Sequence, residues 1–163
     1  MMIGIDIDDT IADWTPAPGE SSESVKAPAP MTDSLQTLHH WQAAGVDLFY
    51  VTGRSRTRKD ETRHWLRRHG YPLPDRVYFQ EDYAGQTKAQ FLHGLGADCL
   101  IDDSLDNCQA CSLLGLRGYW RRVDASAKTP PLLDAVHPWH AWRELAAALA
   151  PWLRAFVPTD EPE

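Results

Sequence analysis

An α/β fold with a mainly parallel, five-stranded sheet is predicted for this chain of 163 residues. Short apolar runs alternate with segments of helical spacing along most of the sequence, which is typical of strand–helix–strand units. Three apolar runs end on chemically capable residues, namely Asp6 and Asp8, Thr52, and the pair Asp102-Asp103. Ligands of such sheets bind beyond the carboxyl ends of the strands. We therefore expect a Rossmann-like, three-layer α/β/α domain with one site at that edge.

The apolar patterns place each element in turn. The predicted strands span residues 2–5, 47–51, 77–79, 98–101 and 118–120. The predicted helices span residues 32–45, 59–69, 86–95, 105–114 and 138–156. The last helix carries a stripe of Trp and Leu, which indicates either docking on the sheet or a dimer interface. Both interpretations are open at this point.

The length is sufficient for one domain, which we expect to span residues 1–157 with little or no cap domain. Residues 13–31 are rich in Pro, Ser and Ala, so we expect a long loop or flap without regular structure. Residues 158–163 are expected to form a disordered tail.

Composition excludes some classes of protein. The net charge of −7 argues against a globally basic nucleic-acid binder, although a local basic face is compatible with it. No apolar run approaches the length of a membrane span, and a first strand near residue 2 leaves no room for a signal peptide. Three cysteines, an odd number clustered late in the chain, indicate a reducing, cytoplasmic location. Cys108 and Cys111 are expected to be core residues, since a zinc site would need further ligands nearby.

The stretch Asp6-Ile7-Asp8-Asp9-Thr10 places like charges directly after a buried strand. Neighbouring carboxylates raise each other's pKa unless a cation or hydrogen-bond donor compensates. A divalent metal would do so, and one carboxylate could then attack phosphorus while the other transfers a proton. The alternative is an acidic turn that caps the following segment.

Four motifs of the haloacid dehalogenase-like (HAD) phosphohydrolase superfamily occur in the correct order, and the chain resembles that superfamily over about residues 2–123. The matching residues are Asp6, Asp8 and Thr10 for the first motif, Thr52 for the second, Lys88 for the third, and Asp102 with Asp103 for the fourth.

The resemblance implies a role for each matching residue. Asp6 would be the nucleophile that forms an aspartyl-phosphate, and Asp8 would protonate the leaving oxygen and later activate water. Thr52 and Lys88 would hold the transferring phosphoryl oxygens. The superfamily's cofactor is Mg²⁺.

Four positions are implied as metal ligands. They are Asp6, Asp8 through its backbone carbonyl, Asp103 as the favoured acid of its pair, and Asp102 in a supporting or shared role. Mg²⁺ takes one or two carboxylates together with phosphate oxygens and waters, which suits this set.

A basic run follows the second catalytic strand. Its members are Arg54, Arg56, Arg58, Lys59, Arg63, Arg67 and Arg68. The run is either a solvated helix face or an electrostatic track for phosphates. Arg54 is the member nearest to the site, and its guanidinium could donate two hydrogen bonds to a phosphate. The predicted substrate-binding residues are Thr52, Gly53, Arg54 and Lys88.

Two narrower resemblances concern the substrate. The stretch VTGRSRTRKDETRHWLRRHGYPLP is similar to the phosphatase module of polynucleotide kinase/phosphatases, and IGIDIDDTIADW is similar to small 5′(3′)-deoxyribonucleotidases. Both imply phosphate esters of nucleotides. No GxxxxGK[ST] occurs, so a kinase half is absent.

These observations predict a Mg²⁺-dependent phosphomonoesterase acting on a nucleotide or a nucleic-acid 3′-phosphate end. One alternative is a phosphatase of sugar phosphates or other small metabolites. The other is a non-catalytic binding module with a HAD-type fold. The expected partner is a phosphorylated substrate, with no membrane association.

Overall fold

A computed structural model of the chain describes residues 1–16 and 27–154. The strands are β1 (Met2–Ile5), β2 (Ala12–Asp13), β3 (Ala29–Pro30), β4 (Asp47–Val51), β5 (Val77–Tyr78), β6 (Cys99–Asp102), β7 (Arg117–Arg121) and β8 (Val136–Trp139). The α-helices are α1 (Ser34–Ala43), α2 (Lys59–Arg68), α3 (Lys88–Leu95), α4 (Leu105–Leu113) and α5 (Trp142–Arg154).

Six strands form one sheet in the order β5-β4-β1-β6-β7-β8, and every neighbouring pair is parallel. The carboxyl ends of all six strands therefore lie at one edge of the sheet. The central strand β1 pairs with β4 and β6, so the residues that follow these three strands are neighbours at that edge. The predicted α/β class is confirmed.

The sheet has one strand more than the five predicted. Residues 136–139, which the sequence pattern assigned partly to the last helix, form the edge strand β8, and α5 begins at Trp142. Pro138 gives this segment a poor strand signal, because proline cannot donate to a ladder; proline is tolerated where a strand lies at the edge of a sheet.

Helices cover both faces of the sheet. Side chains of α1, α2 and α5, including Trp41, Trp65 and Trp142, pack in one apolar cluster. Leu92 of α3 and Cys111 of α4 belong to a second cluster on the opposite face. Three layers result, as predicted. The Trp/Leu stripe of α5 packs on the core through Trp142, Leu145, Leu149 and Leu153, whereas Trp152 is exposed. The three cysteines are buried and unpaired.

The segment 13–31 is not wholly irregular at its described ends. Ala12 and Asp13 pair antiparallel with Ala29 and Pro30. The middle of the predicted flap (17–26) and the predicted tail (158–163) lie outside the described residues. Within the described part of the chain, no helix has both the length and the apolar character needed to cross a membrane.

Candidate active site

Two neighbouring strands, β1 and β6, bring the predicted acidic residues to one place. Asp6 follows β1 directly, and its backbone N–H donates to the Ile101 carbonyl of β6 at 2.8 Å. Asp102 is the last residue of β6, and Asp103 follows it. One carboxylate oxygen from each of Asp6, Asp102 and Asp103 lies within 4.8 Å of the other two. The structure thus brings together acids that are almost a hundred residues apart in sequence.

Lys88 connects two of these carboxylates. Its Nζ donates to Asp6 Oδ1 at 2.8 Å and to Asp102 Oδ2 at 2.7 Å. A capping box places it there, because Thr87 caps α3 and exchanges hydrogen bonds with Gln90, which makes Lys88 the first helical residue. All three charged side chains are at least nine-tenths buried.

Burial and charge shift the pKa of both partners in the Asp6–Lys88 pair. Burial raises the pKa of Asp6 to about 8, with Lys88 opposing and Asp102 adding to the rise. Burial alone would lower the pKa of Lys88, but Asp6 and Asp102 raise it above its usual value. Lys88 therefore stays charged.

Asp102 and Asp103 differ in their hydrogen bonding. Asp102 accepts from Lys88, from the Ser104 backbone N–H at 2.7 Å and from Asn107 Nδ2 at 3.1 Å. Among the described residues, no side chain donates a hydrogen bond to the Asp103 carboxylate. Burial, followed by the charges of Asp102 and Asp9, raises the pKa of Asp103 to about 6.

The donor set of this cluster fits a divalent cation. When all three carboxyls are ionised, they face one ammonium, which leaves two negative charges without compensation. Hard cations such as Mg²⁺ prefer carboxylate oxygens. Because Asp103 has the fewest competing donors, it is the best available ligand of the pair, and Asp6 lies beside it.

Asp8 is held by a different cation. Arg54 donates from Nε to Asp8 Oδ2 at 2.8 Å and from Nη2 to Asp8 Oδ1 at 2.6 Å, and its Nη1 rests on Thr62 Oγ1 at 3.1 Å. Trp14 Nε1 also donates to Asp8 Oδ1 at 2.8 Å. Burial would raise the pKa of Asp8, but the hydrogen bonds and charge of Arg54, aided by Trp14, hold it below its usual value.

Thr52 and Gly53 form the turn after β4. The Thr52 hydroxyl is buried and accepts from the Arg54 backbone N–H at 3.2 Å. Tyr83 donates its hydroxyl to the Thr52 carbonyl at 2.6 Å. A cavity of about 670 Å³ opens beside this turn, and its lining includes Gly53, Lys88 and Asn107.

The basic run is divided among several ion pairs. Arg56 pairs with Asp82, Arg58 with Glu61, and both Arg63 and Arg67 with Asp75. Arg54 faces Asp8 rather than open space. A larger cavity of about 760 Å³ lies between α1 and α5, and none of the predicted site residues is among the described residues that line it.

Four supporting residues were not predicted from the sequence. Trp14 and Thr62 contact the Asp8–Arg54 pair, and Tyr83 and Asn107 contact Thr52 and Asp102. Only Asn107 has a local signal, because Ser104 caps α4 and accepts from the Asn107 backbone N–H three residues on, one turn after the acidic pair. The other three depend on contacts between distant segments.

A family model described as "PITM 1-3, LNS2 domain" matches residues 3–102, which is more than half of the chain. A protein of Oceanobacillus iheyensis named "Putative nucleotidase OB0422" is 27% identical over 70 residues. That match covers 43% of this chain and 37% of the relative, so the chain accounts for only about a third of that protein's length.

Solved structures match over a longer range. A HAD family hydrolase from Deinococcus radiodurans R1, with bound phosphate and sodium, has a TM-score of 0.57 at 20% identity and covers 77% of this chain and 62% of that one. The D,D-heptose 1,7-bisphosphate phosphatase of B. bronchiseptica, with magnesium and phosphate, has a TM-score of 0.63 at 15% identity and covers 93% and 98%. The chain therefore belongs to the family described as PITM 1-3, LNS2 domain, and it has the fold of the HAD-family hydrolases.

Proposed function

We propose that the protein is a Mg²⁺-dependent phosphomonoesterase that works through an aspartyl-phosphate on a nucleotide or a nucleic-acid 3′-phosphate end. The observation that carries this proposal is the junction of Asp6, Lys88, Asp102 and Asp103, where three buried or half-buried carboxylates meet one ammonium. Such a cluster is costly to build unless a cation and an anionic substrate compensate it.

In the first step Asp6 attacks the phosphorus atom of the ester. A bond forms between a carboxylate oxygen of Asp6 and phosphorus, and the bond from phosphorus to the ester oxygen breaks. We assign the attack to Oδ2, because the one hydrogen bond it accepts from the described residues comes from the Thr10 hydroxyl at 3.4 Å, whereas Oδ1 accepts from Lys88 at 2.8 Å. Lys88 offsets the charge of nucleophile and phosphate together.

Asp8 handles the proton. In its acid form, which Arg54 disfavours by lowering the pKa of Asp8, it would give a proton to the departing ester oxygen. In the second step it would accept a proton from the water that attacks phosphorus and frees Asp6. The products of the two steps are an alcohol and inorganic phosphate. The side chain is about 37% exposed, so substrate and water have access to it, while Arg54 fixes its orientation.

Mg²⁺ would be held by Asp103 and Asp6, with Asp102 and the Asp8 backbone carbonyl as the further proposed ligands. When bound, it would neutralise the excess negative charge of the cluster and of the phosphate. Thr52 and Gly53 are proposed to hold phosphate oxygens with Lys88. Direct phosphate binding by Arg54 is a further prediction, and it would require the guanidinium to leave Asp8.

The nucleotide preference is supported by the relative named as a nucleotidase and by the concentration of cations in residues 54–76. A cytoplasmic location is proposed from the three unpaired, buried cysteines. The rival substrate class is small sugar phosphates, which would fill the cavity of about 670 Å³ beside Lys88 without using the basic run.

A substrate panel tests the proposal. Hydrolysis of an aryl phosphate, 3′- and 5′-mononucleotides, a 3′-phosphorylated oligonucleotide and several sugar phosphates is measured with Mg²⁺ and with EDTA. We expect Mg²⁺-dependent turnover with the nucleotide substrates fastest. A clear preference for sugar phosphates would favour the metabolite alternative, and no turnover of any ester would favour a binding module.

A further inference from the structure

Half of the chain's cations lie in one short stretch. Residues 54–76 contain eight of the sixteen Lys and Arg residues but only three of the twenty-three acids, in a chain whose net charge is −7. Such asymmetry produces a local positive potential on a protein that otherwise repels polyanions. The stretch includes α2 and leads into β5, which is the edge strand beside β4.

Part of this stretch encloses a concave site, which we name the basic cavity. It has a volume of about 400 Å³, and its lining residues are Arg56, Lys59, Arg63, Asp75, Arg76, Val77, Tyr78, Phe79 and Asp82. Four cations and two carboxylates thus line the cavity around a floor made by β5. Arg56 pairs with Asp82, Arg63 with Asp75, and Arg76 with Asp47, which lies outside the lining. The Nε atom of Arg63 is buried without a hydrogen-bond partner among the described residues and lies 3.7 Å from Asp75 Oδ1, while Nη2 donates to the Asp75 carbonyl at 3.0 Å.

The basic cavity adjoins the candidate active site. The Thr52 backbone N–H donates to the carbonyl of Tyr78, a residue of the cavity floor, at 3.0 Å. The Gln80 N–H donates to the Arg54 carbonyl at 3.1 Å. Arg56, which lines the cavity, is two residues from Arg54 in the same turn. The residues that line the cavity are therefore strand and chain neighbours of those at the site.

We propose that the basic cavity binds the phosphodiester backbone of a single-stranded nucleic acid whose phosphorylated end is processed at Asp6. The inference deepens the proposed function and rests on it for the position of the terminal phosphate. A positively charged groove that follows the phosphate backbone can hold a single strand without reading its sequence. The aromatic residues of the cavity floor belong to the core, since Phe79 is 2% exposed and Tyr78 packs edge-on against Phe49 and Phe91, so the proposed contacts are to phosphates. Incoming phosphates would displace Asp75, which is exposed, from Arg63 and Arg67.

The shape and composition of the cavity favour a nucleic acid over an anionic membrane. Membrane surfaces are bound by cations together with protruding apolar side chains. The exposed large apolar residues in the described part of the chain are Leu113, Leu114, Val123 and Trp152, all outside residues 54–82. The cations here converge on a concavity that a flat bilayer would not fill.

Binding without turnover separates this inference from the catalytic one. The probe is a 5′-fluorescein-labelled single-stranded oligonucleotide with a 3′-phosphate, and the protein is the full chain with Asp6→Asn. Affinity is measured by fluorescence anisotropy at two salt concentrations. Lys59→Glu reverses a charge in the cavity, and the first turn of α2 accepts acidic residues, so the fold should persist. Lys128→Glu, exposed between β7 and β8 at the opposite side of the sheet, is the matched control.

We expect Lys59→Glu to weaken oligonucleotide binding about tenfold and to reduce its salt dependence, while Lys128→Glu has little effect. Asp75→Asn should tighten binding about threefold, because it removes the competing carboxylate. Equal effects of Lys59→Glu and Lys128→Glu would overturn the inference. So would Lys59-dependent sedimentation with phosphatidylserine vesicles in the absence of oligonucleotide binding, because it would assign the cavity to a membrane. Absence of hydrolysis in the substrate panel would contradict the catalytic proposal alone.

Discussion

The guanidinium of Arg54 makes a bidentate contact with the carboxylate of Asp8, in which Nε donates to Oδ2 at 2.8 Å and Nη2 donates to Oδ1 at 2.6 Å. The third guanidinium nitrogen, Nη1, donates to Thr62 Oγ1 at 3.1 Å. Bidentate pairs of this kind fix orientation as well as charge. Asp8 is thus presented to the site in a defined direction by residues from the turn after β4 and from α2.

Loss of the bidentate contact between Arg54 and Asp8 should affect proton transfer more than phosphate binding. For Arg54→Met we expect kcat on an alkyl phosphate, whose leaving oxygen needs a proton, to fall by about 10²-fold, within the usual contribution of general acid catalysis. On a nitrophenyl phosphate, whose leaving group needs no proton, the loss should be much smaller. Steady-state kinetics with both esters measure the difference.

Thr62→Val provides a milder version of the same change. It removes one hydrogen bond to Arg54, worth about 1 kcal/mol, at nearly constant side-chain shape. We expect the same preference for the aryl ester in weaker form. Equal losses on both esters, in this variant and in Arg54→Met, would indicate that Arg54 does not act through Asp8.

Lys88 should be essential for stability when no metal is present. Lys88→Met leaves Asp6 and Asp102 buried without their shared cation, and breaking a buried pair in this way costs about 3–5 kcal/mol. The free energy of unfolding at neutral pH, measured with urea, should fall by that amount. At pH 4 the loss should shrink, because protonated carboxyls need no counter-charge.

The exposed residue Lys128 gives the control for that measurement. Lys128→Met should change the free energy of unfolding by less than about 0.5 kcal/mol at either pH. An equally small effect of Lys88→Met at neutral pH would mean that Lys88 is not the counter-charge of the cluster.

The acidic cluster predicts that the stability of the metal-free protein decreases as the pH rises, and that Mg²⁺ offsets this decrease. Folding raises the pKa of Asp103 to about 6 from its ordinary value of 3.8, so the folded chain binds this proton more tightly than the unfolded chain. The associated stability is complete below pH 3.8 and is lost as the pH rises through 6. Asp6, raised to about 8, extends the loss to neutral pH.

Thermal unfolding can measure how pH and Mg²⁺ together affect the stability. Without metal, the Tm should decrease between pH 5 and pH 8, and Mg²⁺ should raise it more at pH 8 than at pH 5, since metal ligands must be deprotonated. Asp103→Asn should remove most of the Mg²⁺ effect. A Mg²⁺-induced shift that is independent of pH and unchanged by Asp103→Asn would place any bound cation elsewhere.

The packing of α4 on the sheet can be tested with a pair of glycines. A Cβ at Gly118 would lie 2.6 Å from the Cys108 carbonyl oxygen, so Gly118→Ala should destabilise the protein by about 1–3 kcal/mol. Gly94, exposed in α3, has nothing within 4 Å of such a Cβ, and Gly94→Ala should stabilise by about 0.5–1 kcal/mol. Similar effects of the two substitutions in urea unfolding would contradict the close contact between α4 and β7.

The sequence was sufficient to predict the parallel sheet and the convergence of Asp6 with Asp102 and Asp103, because buried strands and the acids that end them have strong local patterns. The edge strand β8 was missed, since two of its four residues, His137 and Pro138, are exposed and one of them is a proline, which leaves almost no strand signal. The contact of Arg54 with Asp8 was also missed. It joins residues 46 positions apart, and nothing in the local pattern shows which anion a guanidinium will meet.

The central claim is that Asp6 becomes phosphorylated during turnover. The most direct measurement mixes the wild-type protein with Mg²⁺ and a 3′-phosphorylated nucleotide substrate, quenches with acid, and searches for a phosphorylated peptide by mass spectrometry. Phosphate on Asp6 in the wild type, with no phosphopeptide and no turnover in Asp6→Asn, is the predicted result. Undiminished hydrolysis by Asp6→Asn would contradict the account.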